Sequence, residues 1–232
     1  MDPTVVRKGW FNGAGSNKRQ LRVAVGLCCI AVMMASPAAL NLSAELLQKV
    51  KAKYGVQASE RLNSWQVLVE MSKNLPEKDK LIQVNNFFNQ QVEFVNDEYL
   101  WGINDYWATP LEMLAKGAGD CEDYSIAKYF TLRELGVPDS KMRLTYVKAL
   151  ELNQAHMVLT FFDTPRSVPL VLDNLIPSIK SATNRRDLLP VYSFNGTGLW
   201  LAKTRGEGKL IGGSSRLKMW EQLKSRILSN QF

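Results

Sequence analysis

A chain of 232 residues, 46% hydrophobic and 22% charged, can bury one ordinary core, and this composition excludes a fibrous, repeat-built or disordered protein. The formal charge of +7 suggests nucleic acid until it is divided along the chain. Residues 1–39 hold five basic side chains (Arg7, Lys8, Lys18, Arg19, Arg22) and one acid (Asp2), so residues 40–232 keep 24 of the 29 basic and 21 of the 22 acidic side chains. That remainder of +3 is too mild for phosphate binding, and no nucleic-acid partner is expected.

The basic stretch leads into residues 23–34 (VAVGLCCIAVMM), which carry no charge, and then into Ala35-Ser36-Pro37-Ala38-Ala39. Basic, apolar and small-residue stretches in this order form a secretory signal segment over 1–39, with cleavage after Ala38 or Ala39. The apolar core falls short of the ~20 residues that span a bilayer, and Pro37 opposes lengthening the helix. An uncleaved membrane anchor is the alternative; on either reading, residues 40–232 form a single exported domain. Cys28 and Cys29 lie within the apolar stretch, so cleavage leaves Cys121 as the only cysteine. No intramolecular disulfide can then form, and a lone thiol in an oxidising compartment is a liability unless it is buried or used. The chain also has one histidine, His156.

Apolar residues at helical intervals predict helices over 40–54, 60–75 and 78–95, the last ended by the polar turn Asn96-Asp97-Glu98. Residues 99–107 are dense in aromatics (Tyr99, Trp101, Tyr106, Trp107), interleaved with Asn104 and Asp105. Thr109 before Pro110 reads as the N-cap of a short helix over 111–115. Gly117-Ala118-Gly119 breaks the chain, and Asp120 opens a helix over 121–135, closed by Gly136 and Pro138. The pattern then changes to short β-branched or aromatic runs at 142–150, 156–162, 170–172, 191–194 and 199–202, which read as antiparallel strands. Residues 216–228 return to helical spacing, and their Trp and Leu positions are candidates for a partner-binding surface or for the core. Helices first and strands afterwards predict an α+β domain, N-terminal helices packed on an antiparallel sheet.

Cys121 falls in the first turn of its predicted helix, where unpaired N–H groups and a partial positive charge favour a thiolate and can receive an oxyanion. His156 begins a predicted strand and Asp173 ends another, so neighbouring antiparallel strands can set them side by side. The aspartate would then fix the imidazole tautomer and leave the other ring nitrogen for the thiol. The plain alternatives are a small buried cysteine, a satisfied core histidine and a turn-forming aspartate.

The blocks around these residues narrow the choice. Gly119-Asp120-Cys121-Glu122-Asp123-Tyr124-Ser125, Ala155-His156-Met157-Val158-Leu159 and Pro169-Leu170-Val171-Leu172-Asp173-Asn174 resemble the bacterial transglutaminase-like cysteine proteinases. Asp97-Glu98-Tyr99-Leu100-Trp101-Gly102, Asp105-Tyr106-Trp107-Ala108-Thr109-Pro110 and Pro190-Val191-Tyr192-Ser193-Phe194-Asn195 fit the same pattern. The resemblance covers residues 97–202 and implies a papain-like or transglutaminase-like fold with Cys121 as nucleophile, His156 as base and Asp173 as acid. It further implies a periplasmic endopeptidase that cuts a large surface adhesin near its N-terminus, beside paired alanines, and so releases biofilm cells. An inner-membrane cyclic di-GMP receptor is the regulator that the resemblance implies.

Asp120, Glu122 and Asp123 lie within two residues of Cys121 and by charge alone oppose thiolate formation. Bound Ca2+ would offset them, with Asp105 or Asn104 completing an oxygen shell. Calcium dependence is also what the resemblance implies. The alternative is an ordinary capped helix with acids in its first turn. Zinc lacks an N/S ligand set when the single mature Cys and the single His are needed elsewhere. Residues 205–209 (RGEGK) lack phosphate-loop spacing and read as a flexible turn. Two other functions remain compatible with these residues: a transglutaminase-type acyl transferase, and a non-catalytic calcium-dependent binding module.

Overall fold

The computed structural model describes residues 42–201 and 208–229. The expected signal segment, with Cys28 and Cys29, lies outside them. No helix among the described residues is long and apolar enough to cross a membrane.

The N-terminal half is helical. Helix α1 (Ala44–Tyr54) is capped by Ser43, whose hydroxyl accepts the Leu46 N–H at 3.1 Å. Helix α2 (Val56–Ser72) starts four residues before the predicted position because Ala58 already belongs to the face that Leu62, Trp65 and Val69 bury. Its Trp65 indole donates to Thr131 Oγ1 at 2.9 Å and ties it to the central helix. Helix α3 (Glu77–Gln91) stops short of residue 95, because the chain becomes extended at Val92. There β1 (Glu93–Phe94) pairs in parallel with β2 (Ala118–Gly119). The polar turn predicted at 96–98 is instead the start of α4 (Asp97–Leu100).

Helix α5 (Pro110–Lys116) has the predicted Thr109 cap, with Thr109 Oγ1 accepting the Glu112 N–H and Glu112 Oε2 accepting the Thr109 N–H. It ends at Gly117, whose φ of 71° is a left-handed conformation that favours glycine. Helix α6 (Cys121–Glu134) then runs through the core, burying Tyr124, Ile126, Ala127, Tyr129 and Leu132.

Strands β3 (Met142–Ala149), β4 (Gln154–Phe161), β5 (Leu170–Leu172), β6 (Lys180–Ser181), β7 (Leu188–Phe194), β8 (Gly198–Leu201) and β9 (Lys209–Gly213) form one antiparallel sheet. The strand order is β6-β5-β4-β3-β7-β8-β9. The sequence pattern does not predict β6 and β9: β6 is two residues long, and Lys209-Leu-Ile-Gly-Gly213 lacks strand alternation. Lys209 thus opens a strand rather than closing a turn, while residues 205–207 lie outside the described set.

Alternation along the central strands builds two apolar faces. Leu144, Met157, Leu159, Phe161, Leu172 and Phe194 join the helices in the main core. Val147, Val158 and Val171 form a small cluster on the other face, against Ala182 and Leu188. The strand order explains this second layer, since the chain leaving β6 must pass β5, β4 and β3 to reach β7. Residues 182–187 make that crossing. Helix α7 (Lys218–Ser229) closes the opposite end, with Trp220 fully buried against Tyr129, Phe130 and Phe194. Trp220 and Leu223 are therefore core residues and are not available to a partner.

Candidate active site

The start of α6 is held from two sides. Asp120 is its N-cap, and Asp123, fully buried, accepts the Ala108 N–H at 2.7 Å and the Asp120 N–H at 3.4 Å. Asp123 thereby joins the helix to the end of the aromatic loop. Gly119 must be glycine for this, because a Cβ there would lie 2.8 Å from Asp123 Oδ2. On the sheet side, the Ser125 hydroxyl lies 2.9 Å from the Cys121 carbonyl and 3.0 Å from that of Met157. The helix start is thus fixed against β4 at the residue next to His156.

Cys121 is half-buried, and its thiol donates to Glu122 Oε2 at 3.0 Å. Burial first, then the Glu122 and Asp120 carboxylates, push the thiol well above its ordinary value, with the Met157 main chain opposing them. The helix N-terminus, which offers about 0.3–1 kcal/mol to an anion, does not outweigh this. The expected depressed thiol is therefore not what the protein chain alone delivers.

The predicted neighbourhood of His156 and Asp173 is present. The pairing Leu159↔Leu172 between β4 and β5 brings the two together, and His156 Nε2 lies 2.7 Å from Asp173 Oδ1 with both side chains buried. Burial alone would raise the Asp173 carboxyl, yet the His156 hydrogen bond and the Arg185 guanidinium hold it down to about 2. An ionised Asp173 can only accept, so Nε2 carries a proton, and in the neutral ring Nδ1 is the nitrogen with the lone pair. Asp173 Oδ1 also accepts the Asn174 and Leu175 N–H groups at 2.7 and 3.2 Å, so this residue forms a turn as well.

The sequence reading missed three residues that hold Asp173. Arg185 reaches its Oδ2 at 2.6 Å. Lys128, fully buried, donates to the Asp173 carbonyl at 3.1 Å and to Asn89 Oδ1 at 2.8 Å. Asn89 donates to the same carbonyl at 2.8 Å. Burial lowers the Lys128 ammonium to about 7 against the pull of Asp173. A helical lysine and a loop arginine carry no local mark that separates them from surface charges.

On the other side of Cys121, oxygen ligands converge. Asp97, Asp120 and Asp123 can offer oxygens within 4.8 Å of one another, as can Asp97, Asp105 and Glu122. Asp97 is the shared member and was not singled out by sequence; it sits in the first turn of α4, where an acid reads as ordinary. It is buried, and its Oδ2 accepts the Tyr106 N–H at 2.5 Å. Asp97 Oδ1 and Asp120 Oδ1 are buried with no hydrogen-bond partner. Burial above all raises Asp97 to about 6 and Asp120 to about 10, with Glu122 adding to both; Asp105 and Asp123 shift upward for the same reasons. Unpaired buried oxygens of one charge sign fit a hard cation such as Ca2+, and the predicted set of Asp105, Asp120, Glu122 and Asp123 gains Asp97.

The sequence model of the bacterial transglutaminase-like cysteine proteinase family (BTLCP) matches residues 56–194. The comparison with curated proteins gives no match. Among solved structures, calcium-bound Legionella pneumophila LapG is 46% identical with a TM-score of 0.67, covering 79% of this chain and 98% of that one. EGTA-treated LapG of the same organism is 46% identical with a TM-score of 0.70, covering 82% and 100%. Fold, motif blocks and family match coincide over the segment that carries Cys121, His156 and Asp173: the chain belongs to the bacterial transglutaminase-like cysteine proteinases.

Proposed function

We propose that this cysteine proteinase is a calcium-dependent endopeptidase of the periplasm, with Cys121 as nucleophile, His156 as general base and Asp173 as the carboxylate that orients it. The observation that carries this reading is the buried His156 Nε2 to Asp173 Oδ1 contact at 2.7 Å, which leaves Nδ1 as the nitrogen able to take the thiol proton. Asp173 fixes the tautomer, and Ser125 keeps the helix start against β4. Main-chain N–H groups in the first turn of α6 are suited to the oxyanion of the attacked carbonyl. His156 passes the thiol proton to the leaving amine as the C–N bond breaks, and the acyl-enzyme thioester then passes to water with His156 again acting as base.

Asp97, Asp105, Asp120, Glu122 and Asp123 would hold the calcium. When bound, it supplies positive charge that offsets the carboxylates opposing the thiolate. The calcium-bound and EGTA-treated forms of LapG support this assignment for a chain of 46% identity. The substrate follows from the family resemblance: a large surface adhesin, cut near its N-terminus beside paired alanines, with release of biofilm cells. An inner-membrane cyclic di-GMP receptor is the proposed regulator, and a signal segment over 1–39 is the proposed route of export.

Purified protein incubated with the N-terminal region of an adhesin encoded nearby should yield two fragments, and chelator should prevent the cut. Cys121→Ala should abolish it. Cleavage that persists in the Cys121→Ala protein would refute the mechanism. Cross-linked product on adding a primary amine, in place of fragments, would point to acyl transfer instead.

A further inference from the structure

Asp173 is held more elaborately than a histidine partner requires. Its Oδ1 serves His156, and its main-chain carbonyl is fixed by Lys128 and Asn89. Its Oδ2 faces the guanidinium of Arg185, 2.6 Å away, with 1% of the Arg185 side chain exposed. Arg185 is itself braced, since Asp187 accepts from its Nε at 3.0 and 3.2 Å and from Nη2 at 2.8 Å. The arginine arrives on the 182–187 crossing, over the face of the sheet opposite the helices. This crossing is tied down at both ends, by Ala182 N–H to the Pro169 carbonyl at 2.9 Å and by Leu150 N–H to the Asp187 carbonyl at 2.8 Å.

A buried arginine without function is an expensive way to brace a loop, because two desolvated charges seldom outperform apolar packing. Its geometry has a specific effect here. A carboxylate bonded only through Oδ1 can rotate about its terminal torsion, which is broad and roughly two-fold. A guanidinium charge 2.6 Å from Oδ2, itself immobilised by Asp187, opposes that rotation as a buried ion pair and keeps Oδ1 on Nε2. We propose that Arg185 is a positioning residue for the proteinase, acting through Asp173 to hold His156 in the tautomer that presents Nδ1 to Cys121. The Asp187 carboxylate is the brace that makes Arg185 rigid. This rests on the reading that Asp173 serves His156 in catalysis.

His156 is the only histidine in the sequence, so its ring nitrogens can be read directly by NMR in untagged, 15N-labelled protein at a pH where the imidazole is neutral. The wild type should show one tautomer, protonated at Nε2. Arg185→Gln should give a mixed tautomer signal and lower kcat by about tenfold or more with KM within about twofold, a part of the ~10⁴-fold that loss of the correct tautomer can cost. Arg185→Lys, which keeps the charge but loses the fork, should recover part of both readouts. A folded Arg185→Gln protein with a single Nε2-protonated tautomer and wild-type kcat would overturn the proposal. Should Arg185→Gln fail to fold, Asp187→Asn leaves the Arg185–Asp173 pair in place and should still broaden the tautomer signal; an unchanged signal there overturns it too. If Asp173→Asn keeps full peptidase activity, the catalytic role of Asp173 falls instead, and the tautomer readout still decides what Arg185 does.

Discussion

Two sets of carboxylates flank the same helix start, and their surroundings are opposite. Asp173 has a guanidinium, an imidazole and a turn of N–H groups around it, and its carboxyl is held down to about 2. Asp97, Asp105, Asp120 and Asp123 face one another and Glu122, and all four shift upward. Desolvation pushes the carboxyls of both sets upward, so it does not decide the outcome. The difference is whether the fold supplies the countercharge, as it does for Asp173, or leaves it to be bound from outside.

The same substitution should therefore have opposite signs in the two places. Asp173→Asn leaves Arg185 with Asp187 as its one remaining carboxylate and should destabilise the protein by about 3 kcal/mol, the lower end for breaking a buried pair, measured by denaturant unfolding. A change of less than about 1 kcal/mol would erase the contrast. Calcium comes next in size: at about 100 times its Kd it should stabilise the folded chain by about 2.7 kcal/mol, seen as a rise in Tm across a titration. Tm unchanged by saturating calcium would show that these acids only cap helices. Asp97→Asn removes one unpaired buried charge, so in chelator it should raise Tm by about 2–4 °C while weakening calcium binding about tenfold. A fall in Tm in chelator would mean that Asp97 is already neutralised by the fold.

The smallest effect is one of pH. Asp97 is raised from 3.8 to about 6, so metal-free folded protein takes up a proton as pH falls from about 7 to about 4, where the unfolded chain does not. Acidification through that window should therefore add stability in chelator, and the calcium-induced rise in Tm should shrink, because protons compete for the same oxygens. Asp173 has the reverse sign. Lowered from 3.8 to about 2, its contribution is complete above about 4 and is lost as pH falls towards 2. A Tm in chelator that falls steadily from pH 7 to pH 5 would contradict the raised carboxyls.

Where the functional pattern is local, the sequence already contains it. Asp120 as N-cap, the Thr109 and Glu112 capping pair, and Cys121 at the head of α6 are read from a few consecutive residues. The His156 and Asp173 contact needs only the inference that two β-rich runs are antiparallel neighbours. Arg185 is different, because its position depends on the order of the whole sheet and on the crossing that this order forces. Asp97 escaped for a related reason. It belongs to the site only because β1 and β2 pair, a two-residue contact without strand-like periodicity.

That small pairing has a further consequence. Val95 donates to the Gly119 carbonyl and Glu93 to that of Gly117, each at 3.0 Å, so the chain between them is pinched off at its base, immediately before the nucleophile. The tip of this excursion, around Gly102 and Ile103, is exposed, whereas its neck is not free to move. Lengthening a loop whose ends are already joined costs little, about 0.6 kcal/mol per doubling. An insertion at Ile103, between the two family-pattern blocks, should therefore leave Cys121 in place, which makes it a natural place to graft an affinity handle or a fluorescent reporter.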